Sequence, residues 1–128
     1  MTTPLKTISR HASDAKLSVE VARLRGPEEV EVVGGHLSWQ TVQRPYATSL
    51  DAITPLLFQH TKMTGERAGG EPEVFRIYSP ADAEHGWTVE VVWLHHDGDL
   101  PIHGISGESL EKCLCLALLA VNEYAITD

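Results

Sequence analysis

The chain has 128 residues, 42% of them hydrophobic, which suits one globular domain with its own core and excludes a disordered chain. Eighteen acids against ten bases give a formal net charge of −8, which excludes the basic footprint of a sequence-independent nucleic-acid binder. No apolar run reaches the ~18 residues of a membrane span, and the first residues lack the apolar core of an export signal, so a cytoplasmic protein is expected.

Residues 1–12 carry Pro4 and several Thr and Ser residues without period, and read as a flexible arm ahead of a single domain at 13–128. Ser13 is placed to cap a helix, with Asp14 in the first turn where the helix dipole favours an acid. Leu17, Val21 and Leu24 fall on one helical face, while Lys16, Glu20 and Arg23 are expected to face water. Gly26-Pro27 ends this helix. Residues 29–33 alternate Glu and Val as a strand. Gly34-Gly35 reads as a two-residue hairpin turn, and Leu37, Trp39 and Thr41 alternate through a second strand that Arg44-Pro45 breaks.

Ser49 caps a second helix that buries Leu50, Ile53 and Leu57, and Pro55 should kink it or force a restart capped by Thr54. Residues 64–72, with Gly65, Gly69 and Gly70, read as a long mobile loop. A third strand at 73–78 and a fourth at 87–94 flank a turn carrying Ser79, Pro80, Asp82 and Glu84. In the fourth strand Trp87, Val89, Val91 and Trp93 share one face. Residues 95–106 read as a turn-rich loop. The closing helix, about residues 107–124 with Ser106 as its cap, has Leu110, Cys113, Leu114, Ala117, Leu118, Val121 and Ala125 at helical spacing. Leu116, Leu119 and Ala120 widen that stripe, so the helix should be covered over much of its circumference. Cys113 and Cys115 are the only cysteines; two helical positions apart, they point about 200° from each other, cannot bridge, and read as core residues in a reducing cytoplasm.

The order α-β-β-α-β-β-α predicts an α+β fold, an antiparallel four-stranded sheet packed with three helices in a layered sandwich. Pro45-Tyr46-Ala47-Thr48-Ser49-Leu50-Asp51-Ala52 resembles the "P-Y-T-x-S-L-D-A" helix opening of the phage ABA sandwich domain, a family of small phage and prophage proteins. The strand at Trp87, the closing Leu/Cys/Ala helix and the first helix also fall where that family has them. The resemblance implies an α/β/α layered domain on a mobile element with no known activity, so it carries over no catalytic residue.

His95-His96-Asp97-Gly98-Asp99, followed by His103, holds metal-ligand and acid–base side chains. Adjacent strand residues point to opposite faces, however, so His95 and His96 converge only if the backbone is irregular there. Asp97-Gly98 alone is a sufficient turn signal. Gly104-Ile105-Ser106-Gly107 places its second glycine one position early for a nucleophile elbow, and the glycine pairs lack phosphate-loop spacing. Trp39, Trp87 and Trp93 suit a binding surface or a core strand. Glu29 and Glu31 suit a charged edge that resists strand pairing.

The leading expectation is a non-enzymatic phage or prophage accessory protein, an inhibitor of a host defence complex in the manner of an anti-CRISPR. It would use no cofactor or metal, and its partner would be a host protein or complex with a basic surface. The expected contact residues are Glu28, Glu29, Glu31, Asp97, Asp99 and Trp39. The alternatives are a small metal-dependent or His/Asp hydrolase using residues 95–99 with His103, and a structural protein that dimerises through a spare apolar helix face.

Overall fold

Every residue from Cys113 to Ala120 is buried, so helix α3 (Leu110–Ala120) is enclosed on all sides and forms the centre of the core. The computed structural model describes residues 6–67, 69–79 and 86–128, and the expected turn at Pro80, Asp82 and Glu84 lies outside them. Around α3 pack helix α1 (Asp14–Arg25), helix α2 (Leu50–Arg67) and the sheet of strands β5 (Trp87–His95) and β6 (Gly98–Gly107). Strand β4 (Glu73–Tyr78) completes that sheet, in the antiparallel order β4-β5-β6.

The fold is α+β with three helices, but its strands form three separate sheets rather than one four-stranded sheet. Strands β2 (Glu28–Val32) and β3 (His36–Gln40) pair only with each other, and none of their residues is buried. Residues 33–35 join them, a three-residue connection rather than the expected two, with Gly34 and Gly35 both at positive φ. A third pair is parallel, β1 (Lys6–Ser9) with β7 (Tyr124–Thr127). Part of the expected arm is therefore strand, and its Ile8 is buried in the core.

The helix signals hold at the N-termini of α1 and α2. The Ser13 hydroxyl accepts from the Lys16 amide and the Ser49 hydroxyl from the Ala52 amide. Helix α2 runs unbroken through Pro55 and continues to Arg67, shortening the expected loop. Its Thr64 hydroxyl donates to backbone carbonyls one turn back and accepts from the Glu73 amide, tying the helix to the start of β4. Leu50 faces solvent, while Ile53 and Leu57 are buried as expected.

Strand β6 replaces most of the expected loop, and Ser106 lies within it rather than capping α3. Pro101 lacks an amide for the ladder and is tolerated because β6 is an edge strand whose register slips opposite Val91/Val92. Ser109 caps α3 instead, accepting from the Lys112 amide. The helix ends near Ala120, where the Asn122 side chain donates to the Leu118 carbonyl and Glu123 takes a positive φ. That turn releases the chain into β7, where the sequence reading extended the helix.

Candidate functional site

The β2–β3 register places Glu29 opposite Trp39 and Glu31 opposite Leu37. Cross-strand partners and alternate residues share a face, so these four side chains stand together. All four are exposed, Trp39 at 68% and Leu37 at 65%, with Val33 open to water at the hairpin end. The opposite face, through Glu28, Val30, Val32 and Ser38, is half-buried. Covering a Trp removes roughly 150–250 Å² from water, roughly 4–6 kcal/mol before the costs of association. An exposed ion pair contributes about 0–1 kcal/mol, so Trp39 outweighs its acidic neighbours as an anchor.

Glu28 does not belong to that exposed face. Its carboxylate receives Arg44 through two hydrogen bonds of 3.1 and 3.2 Å and Arg25 at 3.0 Å. The bond from Arg44 is the largest influence on its acidity, and it holds the carboxyl below the usual range. Glu28 therefore clamps the base of the hairpin to the end of α1 and to the connector before α2.

Asp97 and Asp99 lie at the β5–β6 turn, where Asp99 is ion-paired with Arg76 of β4. Among the described residues no hydrogen bond or ion pair joins this turn to the hairpin acids. The turn consists of His96 and Asp97, with His95 paired to Gly98. Because His96 lies in the turn rather than in β5, the neighbouring imidazoles can approach, their ring centres 4.0 Å apart and His95 also packed 4.5 Å from Trp93. Glu71 meets them from the α2–β4 connector, its Oε1 2.9 Å from His96 Nδ1 and 3.7 Å from His95 Nε2. Sequence reasoning missed Glu71, because a lone acid in a glycine-rich connector carries no spacing signal.

His103 lies within β6 opposite Val91 and is absent from that cluster. Ser106 hydroxyl lies 3.2 Å from that of Thr88 across the sheet, a ladder contact. A cleft of about 540 Å³ opens between α2 and the sheet, with His60, Thr64, Glu71, Glu73 and Trp93 in its wall. There His60 Nε2 is 3.5 Å from a Glu73 carboxylate oxygen but too poorly aligned for a hydrogen bond. Cys113 and Cys115 are free and buried, and burial pushes the Cys115 thiol up to about 12. Neither is a nucleophile near neutral pH.

No family model matches this chain, and no curated protein or solved structure matches it. No helix among the described residues is long and apolar enough to cross a membrane. The apolar surface of α3 is consumed within the chain, and the large apolar side chains that the described helices leave exposed are Leu50, Phe58 and Met63 of α2.

Proposed function

We propose that the chain is a non-enzymatic binding protein that grips a basic surface of a partner protein with the exposed face of the β2–β3 hairpin. The observation that carries this is the clustering of Glu29, Glu31, Leu37 and Trp39 on one solvent face of an element that adds nothing to the core. A strand pair kept for stability would turn its largest apolar side chains inward. Here they face water beside two carboxylates, in a protein of net charge −8. The acids steer a Lys/Arg-rich surface to the hairpin, and Trp39 and Leu37 hold it there. The two buried free thiols fit a reducing cytoplasm. The resemblance of residues 45–52 to the phage domain supports an accessory role against a host complex, and it adds no residue to this surface.

The test is capture of host proteins by wild type, Trp39→Ala and Glu29→Gln/Glu31→Gln in parallel, followed by affinity measurement across a salt series. The expected partner is retained by wild type, dissociates faster from Trp39→Ala, and associates more slowly with the double Gln variant and at high salt. A partner bound equally by all three with a flat salt response sinks the reading, as does the lack of any protein that distinguishes them.

A further inference from the structure

We infer that Glu71, His95 and His96 form a binding site for a borderline divalent transition metal, Zn²⁺ foremost. One donor atom from each residue lies within 4.8 Å of the other two. A tetrahedral ion with bonds of about 2.0–2.1 Å sets its ligand atoms roughly 3.3 Å apart. The separations from Glu71 Oε1, 2.9 Å to His96 Nδ1 and 3.7 Å to His95 Nε2, bracket that edge length. Small side-chain rotations suffice to seat an ion among them.

The surroundings fit as well. A ligating imidazole must offer one nitrogen to the metal and carry its proton on the other, which an outer carboxylate commonly receives. Behind both rings lies the Asp97 carboxylate, with Oδ2 3.3 Å from His96 Nε2 and 3.7 Å from His95 Nδ1. One carboxylate thus faces the non-ligating nitrogen of each ring. His95 Nδ1 accepts from the Asp97 amide at 3.1 Å. Metal binding exchanges that bond for donation from Nδ1–H to the Asp97 carboxylate, which fixes the tautomer. The Glu71 connector is pinned beside the rings by the Leu94 amide, which donates to the Pro72 carbonyl at 2.9 Å.

Two imidazoles and a carboxylate select Zn²⁺ and its neighbours over Ca²⁺ or Mg²⁺, which favour all-oxygen sets. Half-buried Glu71 and His95 make the floor, and exposed His96 leaves an entry path with a fourth position open to water. The bound ion would staple the α2–β4 connector to the β5–β6 turn.

The experiment uses untagged, chelator-stripped protein titrated with Zn²⁺ by calorimetry at about pH 7.5, where free imidazole is neutral. Co²⁺ then serves as a visible-absorbance probe of tetrahedral ligation. The expected result is one saturable site per chain, a higher melting temperature with Zn²⁺, and intense Co²⁺ bands. His96→Ala and Glu71→Gln should each weaken binding at least ten-fold, Asp97→Asn by about ten- to a hundred-fold, and His103→Ala not at all. His96 and Asp97 are exposed, so their variants should keep the wild-type circular dichroism and remain informative if His95→Ala misfolds. Absence of saturable binding at micromolar Zn²⁺ overturns the assignment and leaves a plain carboxylate–imidazole cluster. Binding unchanged in His96→Ala and Glu71→Gln overturns it equally.

Discussion

Glu20 sits 104 positions before Tyr124 in the chain, yet the Tyr124 hydroxyl donates to its Oε2 at 2.9 Å in the interior. Spacing on α1 placed Glu20 among the residues facing water, but it is only 7% exposed. Burial alone would raise its pKa, but the hydrogen bonds from Tyr124 and Lys16 and the charges of Lys16 and Arg23 outweigh it and hold the carboxyl below its ordinary value. A depressed carboxyl contributes stability that is complete above its unfolded value near 4.5 and is lost as pH falls through the folded one. The stability gap between wild type and Glu20→Gln, measured by urea unfolding, should therefore be widest near neutrality and narrow as pH falls below the unfolded value of 4.5. Tyr124 behaves oppositely, since burial and then the bond to Glu20 push its hydroxyl up to about 12. Its neutral form supports the fold fully below about pH 10, and that support drains away as pH climbs toward the folded value. Tyr124→Phe should cost about 1.5–3 kcal/mol, the range for a hydrogen bond to a charged group. A smaller loss in chemical denaturation would mean that water replaces the hydroxyl.

Pro55 interrupts the hydrogen-bond ladder of α2 without ending the helix. It leaves the carbonyl four residues before it without an intrahelical amide, so Pro55→Ala should stabilise by about 1 kcal/mol or more, up to the ~3 kcal/mol cost of an interior proline. A lower denaturation midpoint would show that the ring's packing or its restriction of the unfolded chain matters more. The hairpin makes a contrasting case. Trp39→Ser should shift unfolding free energy by no more than about 0.5 kcal/mol, as for other surface substitutions. The sequence made the helices legible because caps and apolar stripes are local, as at Ser13, Ser49 and the Cys113–Ala120 run. Strands β1, β6 and β7 escaped because a strand is completed by a partner elsewhere, and Pro101 and Gly104 disguised β6 as loop. Trp39, Glu29 and Glu31 were visible as residue types, but their common face required the register. The joining of Glu71 to His95 and His96 is a property of the folded chain alone.

At the scale of the whole molecule, α3 is the hub on which the other helices and the main sheet converge. Leu114 and Leu119 are almost wholly enclosed, and Leu114→Asp or Leu119→Asp should abolish cooperative unfolding, because a buried charge there has no partner. Retained cooperativity by calorimetry would contradict the central place of this helix. Ile8→Ala separates strand from arm: a free arm would tolerate it, whereas the buried Ile8 should cost about 2–5 kcal/mol. The β1–β7 pair has a further consequence during synthesis. Lys6 leaves the ribosome well before its ladder partner Tyr124, which lies roughly 120 residues downstream. At translation speeds of about 5–20 residues per second, β1 waits roughly 6–24 s without its neighbour. Closing so large a loop is slow as well as late. The nascent chain can assemble the β4–β5–β6 sheet before β7 has been made, but the β1–β7 seam closes only once β7 has emerged. Until then β1, with Ile8, is a sticky segment on an otherwise advanced intermediate, and the nascent protein should be most vulnerable to proteases and chaperone capture there.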